Sequence, residues 1–129
     1  MESAQIRVIS VLRFIPPFEN DDATSEIHLK LEKLLFSSVN KHSRGSGFSV
    51  SISESMHFED HLDGLRKFVN DFSGYTDYAN ANNINLKFDI GFSNNSLSEV
   101  PFSCRVFSKK DLKTLYENNI VLEITIYWP

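Results

Sequence analysis

The sequence has only one cysteine, Cys104, so no disulfide bond can form within the chain. Its first residues lack the basic start and the apolar stretch of a signal peptide. No apolar run approaches the roughly 18 residues of a membrane-spanning helix, because charged residues such as Arg7, Lys87 and Glu123 interrupt the richest stretches. These absences predict a cytoplasmic protein that is not embedded in a membrane.

Positive charge is also scarce. The chain has 17 acidic and 13 basic residues and a formal net charge of −4. A protein that binds nucleic acid usually carries a basic surface that neutralises phosphates. The composition therefore argues against a nucleic-acid partner, and it makes a basic partner easier to accommodate.

The remaining composition is that of one globular domain. Hydrophobic residues make up 41% of the 129 positions and charged residues 23%, which are ordinary values for a chain that folds around its own core. No internal repeat, low-complexity tract or interdomain linker interrupts the sequence. We therefore expect a single domain over residues 1–129.

Alternation of apolar and polar residues predicts the strands. The first strand is expected to be central, because both of its faces carry apolar residues. A strand in the middle of the chain has one apolar face, and its other face is expected to meet water. The predicted strands cover residues 5–15, 48–53, 84–92, 102–107 and 120–128.

Apolar residues at helical spacing predict three helices and a possible short fourth segment over residues 75–83. The first helix is expected to have Asp22 or Thr24 as its N-cap, and the second to end at Gly74. The third begins with a capping box at Ser108 and Asp111. Residues 40–47 are expected to form an exposed loop. The residues expected to face the core in the first and third helices are Ile27, Leu31, Leu34, Leu35, Leu112, Leu115 and Tyr116.

The predicted order is β-α-β-α-β-(β)-α-β. Strands that are apolar on only one face favour a sheet with all helices on that face. They do not fit a parallel sheet buried between two helix layers. The sequence therefore predicts an α+β two-layer sandwich, with a mixed or largely antiparallel sheet of four to five strands and about three helices on one face. The strand order does not follow from the pattern.

Three patterns could carry chemistry, and each has a structural alternative that we favour. His57 and His61 have the i, i+4 spacing of helical zinc ligands, but no third ligand is evident, so histidines at the boundary of an amphipathic helix are expected. Cys104 alternates with apolar residues, which predicts a buried, inert thiol. Residues 44–47 lack the glycine spacing and the lysine of a phosphate-binding loop. We therefore expect no catalytic residue, no metal and no cofactor.

Acidic residues form two blocks, one before the first helix and one around the start of the second. Carboxylates at helix N-termini are stabilised by the helix dipole, which accounts for both blocks without any function. The alternative is an acidic docking surface for a basic protein, in which Tyr75, Tyr78, Tyr127 and Trp128 could serve as anchors. The candidate partner-binding residues are Glu19, Asp21, Asp22, Glu54, Glu59, Asp60 and Asp63, with Glu26 beside the first three.

Two short motifs carry a resemblance to a known family. They are His61-Leu62-Asp63-Gly64-Leu65 and a C-terminal pair, Asp111-Leu112-Lys113-Thr114-Leu115 with Ile124-Thr125-Ile126-Tyr127. From Phe48 to Tyr127 the layout resembles an uncharacterised bacterial family known only as a domain of unknown function. That family implies no catalytic residues for this chain.

In its small size, acidity and single-domain organisation, the chain is also similar to bacterial immunity proteins, which neutralise a cognate toxin. Many such toxins are nucleases with basic clefts, which an acidic inhibitor would complement. We therefore expect a non-enzymatic protein-binding domain, with its oligomeric state left open. The alternatives are a small-ligand-binding module, which would need a preformed pocket, and a metal-dependent enzyme, in which His57 and His61 would converge with a third ligand.

Overall fold

A computed structural model describes residues 8–42, 47–93 and 107–127 of the chain. They form a five-stranded mixed sheet with helices packed on one face, which confirms the predicted α+β fold. The strands are β1 (Val8–Ile15), β2 (Val39–Lys41), β3 (Phe48–Glu54), β4 (Asn85–Ser93) and β5 (Ile120–Tyr127). The helices are α1 (Asp22–Leu35), α2 (Phe58–Asp71), α3 (Ser73–Ala81) and α4 (Lys109–Glu117), with a 3₁₀ turn at Phe36–Ser38.

The sheet has the strand order β2-β3-β1-β4-β5, so β1 is central as predicted. It pairs antiparallel with β3 on one side and with β4 on the other, whereas β4 and β5 are parallel. Its alternate residues Val8, Leu12 and Phe14 are buried beneath the helices, as the period of two requires.

The register of β1 and β3 decides where the helices begin. Ile9 lies opposite Glu54, and Phe14 lies opposite Phe48. The chain therefore leaves β1 and β3 at opposite ends of the sheet, and α1 and α2 start at those opposite ends. Eight residues of strand separate the two ends by about 25 Å.

The core lies between the sheet and the helices. Phe14 and Phe48 stack on neighbouring strands with their ring centroids 4.6 Å apart. Helix α2 is in the phase predicted from its spacing, because the residues expected on its inner arc are buried or partly buried against the core. These are Phe58, Leu62, Leu65, Phe68, Val69 and Phe72.

Three predicted boundaries are wrong. Helix α1 is capped by Asp21 rather than by Asp22 or Thr24, and the Asp21 carboxylate accepts from the Thr24 backbone N–H at 3.2 Å. Helix α2 ends at Asp71, and Gly74 lies inside α3 instead of ending α2. The predicted loop over residues 40–47 contains part of β2. This short strand pairs antiparallel with β3, and the sequence pattern does not predict it.

Three apolar side chains expected in the core are exposed instead. Leu34 of α1 and Leu112 of α4 are each 53% exposed, and Tyr116 is 84% exposed. Each helix turns only a narrow strip of its surface toward the sheet, which Ile27 and Leu31 fill in α1 and Leu115 fills in α4. Helical spacing alone overestimates the width of this strip.

The helix-free face of the sheet also differs from expectation at β4. Asp89 points to this face, yet it is only 2% exposed. Its carboxylate accepts from the Arg13 guanidinium at 2.9 Å and from the Thr125 hydroxyl at 2.8 Å, and these flanking side chains shield it from water. The predicted wet face therefore contains a partly buried ion pair, in which the Arg13 side chain is 30% exposed.

Several predictions concern residues outside the described ranges. These include the thiol of Cys104, residues 44–46 of the glycine-containing loop, residues 102–106 of the predicted short strand, and Trp128. Among the residues that the structure describes, no helix has the length and apolar character needed to cross a membrane.

Candidate protein-binding surface at the start of the second helix

A short turn fixes the entry to α2. Strand β3 ends at Glu54, and the Ser55 hydroxyl then accepts the His57 backbone N–H at 3.0 Å. The same hydroxyl donates to the Asp60 carboxylate at 2.5 Å. Phe58, the first residue of α2, packs edge-on against Phe107 at 5.2 Å. These contacts hold the start of α2 in a defined position against the strand that precedes it.

The side chains that this turn presents to solvent are mostly acidic, with one apolar residue among them. Met56 is the apolar residue of this turn, and its side chain is 58% exposed. The four carboxylates predicted for this region are all exposed. We call this group the α2-entry surface, and it consists of Glu54, Met56, Glu59, Asp60 and Asp63.

The four carboxylates differ in how far the fold already uses them. Asp60 is held by Ser55, and Asp63 forms an ion pair with Arg66, whose guanidinium also binds Asp111 of α4. Glu59 lies in the first turn of α2 and forms no hydrogen bond or ion pair with another described residue. Glu59 is therefore the carboxylate most available to a partner.

The second acidic block does not join this surface, because it lies at the opposite end of the sheet. Asp21 is buried as the cap of α1, which removes it from contact with a partner. Asp22 and Glu19 are exposed. The seven predicted partner-binding residues are thus divided between two ends of the molecule, and they do not form one continuous surface.

Glu26, which the sequence grouped with that block, is engaged within the helix layer. It accepts from Lys30 at 3.0 Å and from the Tyr78 hydroxyl at 2.9 Å, and these hydrogen bonds lower the pKa of Glu26. The same contact raises the pKa of Tyr78. The predicted anchor Tyr78 therefore links α3 to α1, far from the α2-entry surface. Tyr75 is half-buried beside Phe72, at the far end of α2.

His57 and His61 do not converge. His57 is exposed, whereas His61 is completely buried and belongs to the core rather than to the helix boundary. His61 Nδ1 lies 2.6 Å from Ser10 Oγ, and Nε2 lies 2.9 Å from the Ser55 carbonyl oxygen. Both ring nitrogens are therefore occupied, and neither is free to bind a metal ion.

Two further features bear on the alternative functions. Within residues 8–42, 47–93 and 107–127, no group of three or more histidine, cysteine or acidic side chains could hold a metal ion. A cleft of about 180 Å³ lies between α2 and β3, and one of about 130 Å³ lies between α1 and β3. Both are smaller than the roughly 300–1,000 Å³ of typical small-molecule sites.

Sequence reasoning missed two parts of this region. Met56 lies in a turn without periodicity, so no pattern marks it as exposed. The contact between Ser10 and His61 joins residues 51 positions apart, but it leaves one signal in the sequence. Ser10 occupies the inward phase of β1 between Val8 and Leu12, where a polar side chain needs a buried partner.

Comparisons of the chain with family models, with curated proteins and with solved structures find no match. The resemblance drawn from Phe48 to Tyr127 therefore stays a prediction.

Proposed function

We propose that this chain is a non-enzymatic protein-binding domain, and that it acts as an immunity protein that neutralises a basic, nuclease-type bacterial toxin in the cytoplasm. The observation that carries the proposal is the α2-entry surface, where exposed Met56 lies in a hydrogen-bonded turn between the exposed carboxylates of Glu54 and Glu59 in the sequence. The expected partner has an apolar spot within a basic patch.

The physics of association supports this combination. Carboxylates accelerate encounter with a basic partner and fix its orientation, and they are most effective when the scaffold holds them in place. Methionine is flexible and polarisable, so it adapts to an irregular apolar surface. A central apolar contact with a charged rim is the common arrangement of specific protein interfaces.

The polar side chains of the fold also favour binding over catalysis. Within residues 8–42, 47–93 and 107–127, the side chains that most resemble catalytic groups have structural roles: His61 is bound to Ser10 and Ser55, and Asp89 is bound to Arg13 and Thr125. A nucleophile or general base needs access to a substrate. The buried side chains of His61 and Asp89 lack that access. The α2-entry surface offers charge and apolar contact instead.

The experiment uses the protein encoded by the reading frame beside that of this chain as the probe. Calorimetry measures its affinity for the wild type, for Glu59→Lys and for the control Asp22→Lys. Both substitutions reverse one exposed carboxylate in the first turn of a helix, and they change the net charge equally. We expect Glu59→Lys to weaken binding by about tenfold or more and Asp22→Lys to change it little.

Two further measurements sharpen the test. Met56→Ala should weaken binding without changing its salt dependence, whereas the loss caused by Glu59→Lys should shrink at high salt because screening weakens exposed charges. Co-expression with this chain should suppress any toxicity of the neighbouring protein. Absence of binding would overturn the proposal, as would a larger loss for Asp22→Lys than for Glu59→Lys.

A further inference from the structure

The second edge of β5 is unpaired within the described part of the chain. Strand β5 forms the end of the sheet and pairs with β4 along one edge, and no other strand of the described chain pairs with its second edge. It is eight residues long, and neither proline nor lysine occurs within it. Natural proteins usually protect such edges with short strands, prolines, lysines or bulges, because an open edge presents unpaired backbone donors and acceptors.

Exposed apolar side chains lie along the same edge. Ile124 is 52% exposed and Ile126 is 46% exposed on the helix-bearing side, and Val121 is 58% exposed on the other side. Within the described part of the chain, β5 thus combines unpaired backbone donors and acceptors along its second edge with exposed apolar side chains on both faces.

Helix α4 extends this patch. Asp111 of α4 binds Arg66 of α2, so that flank of α4 faces the other helices. Leu112 and Tyr116 lie one helical turn apart on the other flank, beside the outer edge of the sheet, and they are 53% and 84% exposed. We call the five exposed residues the β5-edge patch: Leu112, Tyr116, Val121, Ile124 and Ile126.

We propose that the β5-edge patch is a homodimer interface, in which two copies of the chain pair their β5 strands antiparallel about a two-fold axis. The two sheets then join into one sheet of ten strands. Leu112 and Tyr116 of each copy pack against the same residues of the other copy, because a two-fold interface is formed by the same patch on both subunits.

Charge favours a second copy as the occupant. A two-fold axis turns the two α4 helices antiparallel, which brings Lys109 of one copy toward Glu117 of the other, whose carboxylate also pairs with Lys113 of its own helix at 3.6 Å. In β5 an axis through Leu122 places Glu123 opposite Val121 of the other copy, whereas an axis through Glu123 would oppose two carboxylates. The first register therefore avoids the like-charge pairing that disfavours the second.

The exposed area is sufficient for a specific dimer. The five side chains together expose on the order of 500 Å² per copy, so two copies would bury roughly 1,000 Å² before any backbone contact is added. That value is close to the lower range of specific interfaces. The paired backbones of β5 supply the remaining area and the directionality.

Sedimentation equilibrium of the full-length chain, at concentrations on the order of 100 μM, tests the dimer. We expect twice the chain mass for the wild type. Ile124→Lys introduces the residue that natural edges use for protection, and it should weaken the dimer at least about tenfold. The matched control is Leu29→Lys on α1, which replaces an apolar side chain of similar exposure, 57%, away from the β5 edge and should leave the dimer intact.

Tyr116→Ala provides a second variant that is not expected to disturb folding, because its side chain is almost entirely exposed. It should also weaken the dimer, while the circular dichroism spectrum of the variant stays that of the wild type. A wild type that stays monomeric would overturn the proposal and would mean that another part of the chain covers the edge. A dimer weakened by Leu29→Lys but not by Ile124→Lys or Tyr116→Ala would also overturn it.

Discussion

The imidazole Nδ1 of His61 lies 2.6 Å from the hydroxyl of Ser10, and neither residue is accessible to solvent. The other ring nitrogen faces the Ser55 carbonyl oxygen, which can only accept, so Nε2 carries a proton. With the ring neutral, the Ser10 hydroxyl donates to Nδ1. This polar contact ties the central strand, the end of β3 and helix α2 together inside an apolar core.

Ser10→Ala should therefore destabilise the fold. The substitution removes the donor and leaves Nδ1 of His61 buried without a partner, at a cost of about 1–3 kcal/mol in the free energy of unfolding. Urea denaturation measures this change. The control is Ser51→Ala on the exposed face of β3, which should cost a few tenths of a kcal/mol at most. Equal effects of the two substitutions would contradict a special role for the Ser10–His61 contact.

The two helical glycines Gly64 and Gly74 should respond in opposite ways to alanine. A Cβ at Gly64 would lie 2.9 Å from Ile52 Cγ2 and 3.3 Å from the Ile52 carbonyl oxygen, whereas a Cβ at Gly74 would meet nothing within 4 Å. We expect Gly64→Ala to destabilise by about 1–2 kcal/mol, because α2 must move away from β3. Gly74→Ala should stabilise by about 0.5–1 kcal/mol through helix propensity.

A double-mutant cycle with Ile52→Ala checks the cause of the Gly64 effect by thermal or urea unfolding. In the Ile52→Ala background the main obstacle is gone, so Gly64→Ala should become neutral or stabilising. If its cost persisted there, the close approach of α2 to β3 would not explain it.

The two neighbouring acids at the start of α1 should differ strongly in their contribution to stability. Asp21 accepts both the backbone N–H and the hydroxyl of Thr24, the hydroxyl at 2.6 Å, whereas Asp22 is exposed in the first turn. We expect Asp21→Ala to cost about 1–2 kcal/mol and Asp22→Ala a few tenths through the helix dipole. Chemical denaturation of both variants distinguishes them, and a larger loss for Asp22→Ala would contradict the observed cap.

His42 should make stability depend on pH. Burial, and to a lesser extent the positive charge of Arg13, lowers the pKa of His42 below its ordinary value of 6.5. As the pH falls below 6.5, the unfolded chain takes up this proton before the folded chain does, so the free energy of unfolding falls until the folded pKa is passed. His42→Asn should reduce the difference in stability between about pH 7 and pH 5. NMR titration of the wild-type ring should give a midpoint below 6.5, and a midpoint above it would refute the prediction.

Sequence patterns predicted the fold where one periodicity dominated. Helix α2 has the expected phase because charged residues that cannot enter the core fill its outer face, and in the central strand β1 the inward residues Val8, Leu12 and Phe14 alternate with a face that carries Arg13. The edges of the fold were less predictable. Leu112 and Tyr116 have the spacing of core residues, but α4 covers the last strand of the sheet, and no other described element packs against its outer flank.

The candidate surface was predictable only in part. The carboxylates Glu59 and Asp63 follow from the exposed phase of α2, and both are exposed as expected. Their separation from Asp22 and Glu19 depends on the antiparallel register of β1 and β3, which pairs residues from 34 (Phe14 with Phe48) to 45 (Ile9 with Glu54) positions apart. No local pattern encodes that register. Likewise, the burial of Asp89 depends on Arg13 and Thr125, which lie on two other strands.

The position of β1 at the centre of the sheet has a consequence for synthesis of the chain. Strand β1 leaves the ribosome before both of its neighbours, and β4 is complete only at Ser93. Until then its apolar residues lack their partners, and the nascent chain is vulnerable to aggregation. Formation of the sheet therefore requires closure of long loops, and we expect this domain to fold slowly for its size.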